Sequence, residues 1–191
     1  MTFKPLRDAA AAATLGAALQ AGAGAAPAPT LIGHSIAEAK AGEFVQFFHL
    51  QQVLQAPDTA HPGTTLTVLG STGQFKGVVN LMLTTTDGDP AVTRAGLMVR
   101  RDFIDAPATA VFARDVAKSF LELSTGRDAP QVQALHDHLW KHQPSDAPAA
   151  QAWAGHLDKH RIDFAGGYVT LQNATLMQVP MLIIENGPAA P

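Results

Sequence analysis

Three runs in the first half of the chain have the apolar and β-branched composition of strands. Residues 64–70 (TTLTVLG) and 75–86 (FKGVVNLMLTTT) come first, and residues 91–104 (AVTRAGLMVRRDFI) follow the turn sequence Asp-Gly-Asp-Pro at 87–90. Two β-rich runs joined by an Asp-Gly turn are typical of an antiparallel hairpin. The pattern therefore predicts three strands, of which the second and third form a hairpin.

Ahead of these strands, the spacing of large apolar residues indicates a helix. Ser35 and Glu38 have the spacing of a capping box, in which the two side chains close the first helical turn. Phenylalanines at positions 44, 47 and 48 follow at helical spacing, and a proline at 57 closes the segment. We predict a helix over 36–55. A strand over 44–50 is the alternative, although its alternation is poor.

The middle of the chain carries two further helix starts. Asp105 is a suitable cap with a proline two residues later, and apolar residues at 112, 116, 120 and 123 then form one stripe. Gly126 is placed to end this helix. The sequence Asp-Ala-Pro at 128–130 opens a second helix that reaches about His142. We predict a loop over 144–148 and a shorter third helix through about residue 159.

The C-terminal part returns to strand composition. We predict a hairpin of two strands, residues 161–172 and 175–186, joined by a bend near Asn173. Pro180 indicates an edge position or a bulge in the last strand. Strands in hairpin blocks, separated by a block of helices, are typical of an α+β fold. We therefore expect an antiparallel sheet built from hairpins, with an N-terminal helix and a central run of two to three helices packed on one face. One domain covers 29–186, and 187–191 form a disordered tail.

The first 28 residues have the layout of a secretory signal peptide. Lys4 and Arg7 precede an alanine-rich run, and Ala-x-Ala cleavage patterns follow between residues 21 and 28. Asp8 and the scarcity of bulky apolar residues weaken this interpretation, so a disordered leader or an additional helix are the alternatives. Cleavage predicts a periplasmic or secreted protein, whereas a retained leader indicates a cytoplasmic chaperone or adaptor.

The composition excludes several classes of function. The chain has 191 residues, 47% of them hydrophobic, which is enough to build a core. It contains no cysteine, so disulfides, thiolate metal sites and cysteine nucleophiles are excluded. The net charge is −3 and no basic patch is visible, which argues against nucleic-acid binding. No stretch reaches the roughly 18 apolar residues that a membrane-spanning helix needs.

A cluster of histidines is the one candidate for a metal site. On a helix, His136 and His138 lie about 160° apart and cannot share an ion, whereas His138 and His142 are one turn apart. His156 and His160 repeat that spacing. Folding the chain about the 144–148 loop leaves an axial offset of about 6 Å between His138 and His156, and about 18 Å between His142 and His160. One ion then takes at most three of these ligands.

The histidine pair lacks the glutamate of an H-E-x-x-H zinc helix, so we expect a helix surface there and no metal, cofactor or catalytic residue. Gly70–Gly73 is a turn and not a nucleophile elbow, because a strand follows it. The aromatic residues Trp140, Trp153 and Tyr168 are expected in the core, as are the phenylalanines at 44, 47 and 48.

The sequence therefore favours an exported binding or interaction domain without enzymatic activity, which takes a protein or a small apolar ligand on a face of its sheet. A histidine-dependent metal-binding protein or metallohydrolase using His138 and His142 is the alternative. The sequence does not specify an oligomeric state.

Overall fold

The computed structural model describes residues 31–127, 129–141, 160–164, 167–176 and 178–188. Within these residues, seven strands form one antiparallel sheet in the order β1-β2-β3-β4-β7-β6-β5, and five α-helices accompany it. The prediction of an α+β fold with an antiparallel sheet is therefore confirmed at the level of fold class. The strands are β1 (Gln51–Pro57), β2 (Thr64–Gly70), β3 (Val79–Thr86), β4 (Val92–Arg100), β5 (His160–Phe164), β6 (Gly167–Leu176) and β7 (Val179–Pro188). The helices are α1 (Ile36–Ala41), α2 (Glu43–Phe47), α3 (Arg101–Asp105), α4 (Ala110–Thr125) and α5 (Ala129–Lys141).

The last described strand, β7, lies inside the sheet between β4 and β6. Strands β1 to β4 follow one another as a meander, and the predicted Asp-Gly hairpin between β3 and β4 is confirmed. Gly88 lies in its turn with φ of 85°, a conformation that favours glycine. Across the centre, Leu97 pairs with Leu81 on one side and with Ile184 on the other. The central strands of the sheet thus come from distant parts of the sequence.

One face of the sheet forms the main core. Leu81, Leu97 and Ile184 are fully or almost fully buried on this face. They belong to the same apolar cluster as Val116 and Phe120 of α4, which are also inaccessible to solvent. Truncation of such a buried phenylalanine costs about 3–5 kcal/mol, so this layer dominates the stability of the fold.

The predicted ends of two helices are confirmed in detail. At α1, the Ser35 backbone N–H donates to the Glu38 carboxylate over 2.7 Å, and the Glu38 N–H donates back to Ser35 Oγ over 3.3 Å. At α4, Gly126 adopts φ of 63°, and its N–H donates to the Glu122 carbonyl over 2.9 Å. Both motifs satisfy backbone groups that a helix end leaves open.

The predicted helix over 36–55 is wrong beyond Phe47. Gly42 divides it into α1 and α2, and a turn with His49 at φ of 48° ends it. The following residues form β1, whose ladder with β2 supplies the backbone hydrogen bonds that the longer helix would have made. The alternative strand over 44–50 is wrong as well.

Two strand predictions extend too far. Gly73–Phe75 form a 3-10 helix, and β3 begins only at Val79. After β4, Arg101–Asp105 form α3, and the next helix starts at Ala110 instead of near Asp105. In both cases, residues predicted to continue a strand form a short helix outside the sheet instead.

The C-terminal part holds three strands and not the predicted two. Asn173 lies within β6 and pairs with Leu182, so the bend predicted there is wrong. The chain turns next to Gln178, which has φ of 67°. β7 lies between β4 and β6, and Pro180 is beyond the last β4 pairing, which is Arg100 with Met181. A proline is therefore tolerated at the end of a central strand.

Some predictions fall outside the described residues. They are the leader over 1–28, the loop over 144–148 and the third helix through about residue 159. The second predicted helix corresponds to α5, which is described to Lys141. β7 includes Gly187 and Pro188 of the expected tail. Of the helices in the described ranges, none combines the length and apolar character needed to cross a membrane.

Candidate functional site

The second face of the sheet carries its own apolar cluster. Met98, Met181 and Ile183 are buried there, at 3–7% exposure, and Val68, Met82 and Ala174 pack against them. Among the described residues, all members of this cluster come from strands, whereas the main core also contains helix residues. We call this side of the sheet the methionine face.

The strand register places one continuous row of side chains across the methionine face. The row is apolar from β1 to β3, has a glycine in β4, and is polar from β7 to β5. Its apolar end is open to solvent, since Leu54 is 49% exposed and its neighbour Val53 is 65% exposed. In order, the row consists of Leu54, Val68, Met82, Gly96, Glu185, Thr170 and Arg161.

The glycine in this row makes room for a methionine. A Cβ atom added to Gly96 would lie 2.5 Å from Cε of Met82, well inside the contact distance of two carbon atoms. The Met82 methyl group therefore occupies the space that a side chain at position 96 would fill. Because methionine is unbranched and soft, this end of the side chain can adjust to a neighbour.

The polar end of the row is organised around Tyr168. Its ring lies over Gly187, where an added Cβ would come within 2.7 Å of the ring, and its hydroxyl donates to Glu185 Oε1 over 2.9 Å. The Arg161 guanidinium lies 4.1 Å from the ring centre and pairs with Asp163 at 2.7 Å. Burial first, and then the Glu185 carboxylate, raise the pKa of Tyr168.

Arg94, which lies near Tyr168, has guanidinium N–H groups without a hydrogen-bond acceptor among the described residues. Arg94, two residues before Gly96, keeps 17% of its side chain exposed, and its Nη1 is 4.0 Å from Asp58 Oδ2. Within the described ranges, Nε and Nη1 of Arg94 are buried without a hydrogen-bond acceptor, as is the hydroxyl of Thr170. A buried polar group without a partner costs free energy, so this end of the face has unused capacity for hydrogen bonds.

The carboxylate nearest to Arg94, that of Asp58, already accepts other hydrogen bonds. Asp58 lies 2.8 Å from Nδ1 of His61 and accepts from the Ala60 N–H over 2.9 Å. Burial acts to raise the pKa of Asp58, but these hydrogen bonds and the nearby charges outweigh it and lower the pKa. Asp58 is therefore a carboxylate near neutral pH, and it accepts from His61 and Ala60 instead of forming a close pair with Arg94.

The structure brings together a histidine pair that differs from the predicted one. His138 lies on the exposed side of α5, and His160 begins β5; their ring centres are 5.2 Å apart with the planes inclined by 28°. His142 and His156 lie outside the described residues, so the pair His138 and His142 is not described. His160 lies in a strand, so its predicted position on a helix one turn from His156 is wrong.

His136 has a structural position, as its place beside the apolar stripe predicted. It is 3% exposed, and its ring stacks on Trp140 with 4.7 Å between the ring centres. Burial lowers the pKa of His136, although Asp137, at 3.2 Å from Nδ1, acts in the opposite direction. In the described part of the chain, no group of three histidine and acidic residues is arranged to hold a metal ion.

The remaining sequence candidates occupy structural positions or lie outside the described ranges. Ser71 donates to the carbonyl of Phe75 within the turn, and Asp89 accepts from the Ala91 N–H. Phe44 and Phe48 are core residues as predicted. Trp153 is not among the described residues. The methionine face was missed by the sequence analysis, and the alternation of Met82 and Met98 with core residues was the signal available for it.

No protein-family model, no curated protein and no solved structure matches this chain.

Proposed function

We propose that this protein is a binding protein without enzymatic activity, and that it takes a small, mainly apolar molecule on the methionine face. The observation that carries the proposal is the row from Leu54 to Arg161, which begins with exposed apolar side chains. At its polar end, Thr170 and the neighbouring Arg94 have side-chain atoms without hydrogen-bond partners among the described residues. Ligand sites are typically apolar surfaces with a few convergent polar groups.

The apolar half of the row favours an apolar ligand. Val53 and Leu54 are exposed, and the row continues through Val68 to the soft side chain of Met82. A contiguous exposed apolar patch with polar groups at its rim marks an interaction site more often than a neutral surface. Methionine suits such a site because its thioether chain can repack around ligands of different shape.

The polar half favours an uncharged acceptor on the ligand. Arg94 has donors without acceptors in the described chain, whereas Asp58 and Glu185 place two carboxylates close to the Arg94 and Tyr168 neighbourhood. A carbonyl oxygen satisfies the guanidinium without the like-charge repulsion that a ligand carboxylate would meet. The ligand class is therefore an apolar molecule with a carbonyl or a comparable oxygen.

Addition of a partner strand to β1 is supported less well. The β1 ladder has a register shift between Gln52 and Leu54, and Pro57 ends the strand. Bulges and prolines are features by which edge strands avoid pairing with other chains. This favours a small molecule over a strand-adding protein as the occupant. The leader supports the accompanying proposal that the protein acts in the periplasm or outside the cell.

A fluorescence titration with Nile red, an uncharged apolar dye with a carbonyl group, tests the proposal. We expect saturable binding with a blue-shifted emission, and at least a tenfold weaker affinity in Leu54→Gln and Met82→Gln. Val111→Gln is the matched control, because Val111 is also an exposed apolar residue, at 71%, but lies on α4. Equal affinity of Leu54→Gln, Met82→Gln and Val111→Gln would refute the assignment of the face.

A further inference from the structure

We propose that His138 and His160 form a two-imidazole site for a divalent transition-metal ion, separate from the methionine face. The pair joins α5 to β5, and its ring centres are 5.2 Å apart. Imidazole nitrogen is a good ligand for zinc, copper and nickel. Because the chain has no cysteine, histidine is its best ligand for such ions.

The separation of the two rings fits a shared ion. With a metal–nitrogen bond of about 2.0–2.1 Å, an imidazole ring centre lies roughly 3.2 Å from the ion. Two ring centres at that radius that subtend about 110°, close to the tetrahedral angle, are roughly 5.2 Å apart. The observed distance of 5.2 Å is therefore compatible with two imidazole ligands of one four-coordinate ion.

Both ligands lie on elements that the fold holds in place. α5 is anchored by Val132, Leu135 and Leu139, which are at most 9% exposed. β5 is paired with β6, with His160 opposite Leu171 in the register. A metal site on anchored elements requires little reorganisation on binding, which favours affinity.

A site with two protein ligands leaves the remaining coordination positions of the ion open. The other positions of the ion are left to water or to an exogenous ligand, as in sites that keep open coordination positions. Copper(II) should bind more tightly than zinc, following the general order of divalent affinities. Binding should weaken on acidification, because only the neutral imidazole coordinates a metal.

Competition against a chromophoric chelator, with Zn²⁺ and Cu²⁺ as the probes, tests the site on the full chain. We expect one ion per chain, and a loss of affinity of at least tenfold in His138→Ala and in His160→Gln. His34→Ala is the matched control, because His34 lies in the segment before α1 and should leave the affinity unchanged. Circular dichroism without metal shows whether each variant is folded, and Lys141→Ala serves as a second control on α5.

Histidine proton resonances provide a readout that does not depend on the variants. Sub-stoichiometric Cu²⁺ should broaden the signals of His138 and His160 before that of His34. Binding that survives both His138→Ala and His160→Gln, or the absence of saturable Zn²⁺ and Cu²⁺ binding to the wild type, would overturn the proposal.

Discussion

The hydroxyl of Tyr168 donates a hydrogen bond to the carboxylate of Glu185 over 2.9 Å, between neighbouring strands of the methionine face. This hydrogen bond holds the Tyr168 and Glu185 side chains together at the polar end of the row, and it occupies Oε1 of the Glu185 carboxylate. It also has a spectroscopic signature, because Tyr168 is the single tyrosine of the chain.

The pKa of Tyr168 is raised from its ordinary value of 10.0, first by burial and then by Glu185. The folded protein therefore keeps a proton that the unfolded chain releases, so the stabilisation is complete below pH 10 and is lost as the pH rises above it. We expect tyrosinate absorbance to rise at a lower pH in Glu185→Gln than in the wild type. Glu43→Gln on α2 is the control, and identical midpoints for all three proteins would contradict the contact.

His136 should make stability sensitive to mild acid. Its pKa is lowered mainly by burial, so its contribution to stability is present above the ordinary histidine pKa and is lost as the pH falls towards the lowered value. We expect urea denaturation of His136→Phe to show a smaller loss of unfolding free energy between pH 7 and pH 5 than the wild type. His138→Ala, on the exposed side of the same helix, should retain the wild-type dependence. A dependence in His136→Phe as steep as in the wild type would argue against this role.

Two strand glycines should respond differently to the same substitution. An added Cβ at Gly167 would lie 2.5 Å from the backbone carbonyl oxygen of Gly187, whereas at Gly96 it would meet the flexible end of Met82. Overpacking that requires a backbone shift costs about 1–3 kcal/mol. We expect Gly167→Ala to lower the unfolding free energy by that amount and Gly96→Ala to lower it by less than half as much. The reverse order in chemical denaturation would show that Met82 is held rigidly.

The predicted signal peptide over residues 1–28 should be removed during export. Expressed from Met1 in a Gram-negative host, the chain should appear in the periplasmic fraction with a new N-terminus between residues 24 and 29, after one of the Ala-x-Ala patterns. Leu15→Arg, which interrupts the apolar run, should keep the protein unprocessed. Intact mass spectrometry that finds Met1 or Thr2 at the start of the wild-type protein in the cytoplasm would rule out export.

Local sequence signals predicted the features that depend on neighbouring residues. The capping box of Ser35 and Glu38, the glycine end at Gly126 and the hairpin at Gly88 all use backbone geometry within a few residues. β1 was missed because its hydrogen bonds come from β2 and are not visible in its own spacing. The spacing of the phenylalanines before β1 fitted a helix that continued to residue 55. Pairing with β2, which the local spacing does not reveal, makes these residues a strand instead.

The methionine face was not predictable in this way. Met82 and Met98 lie on adjacent strands of one hairpin, but Met181 reaches them only because β7 enters the sheet beside β4. In the sequence, these three methionines appear only as residues of separate strands, and nothing in the local pattern shows that the strands become neighbours. The same applies to His138 and His160, since their approach depends on how β5 joins the far edge of the sheet.

Methyl NMR of the protein labelled on its methionine methyl groups is the most direct test of ligand binding on the methionine face. The signals of Met82, Met98 and Met181 are assigned through single Met→Leu variants, and Nile red is then titrated into the wild type. We expect saturable shifts of all three signals, with the same dissociation constant as the fluorescence titration. Saturable dye binding that leaves these three methyl signals unchanged would contradict the account, because the ligand would then occupy another part of the molecule.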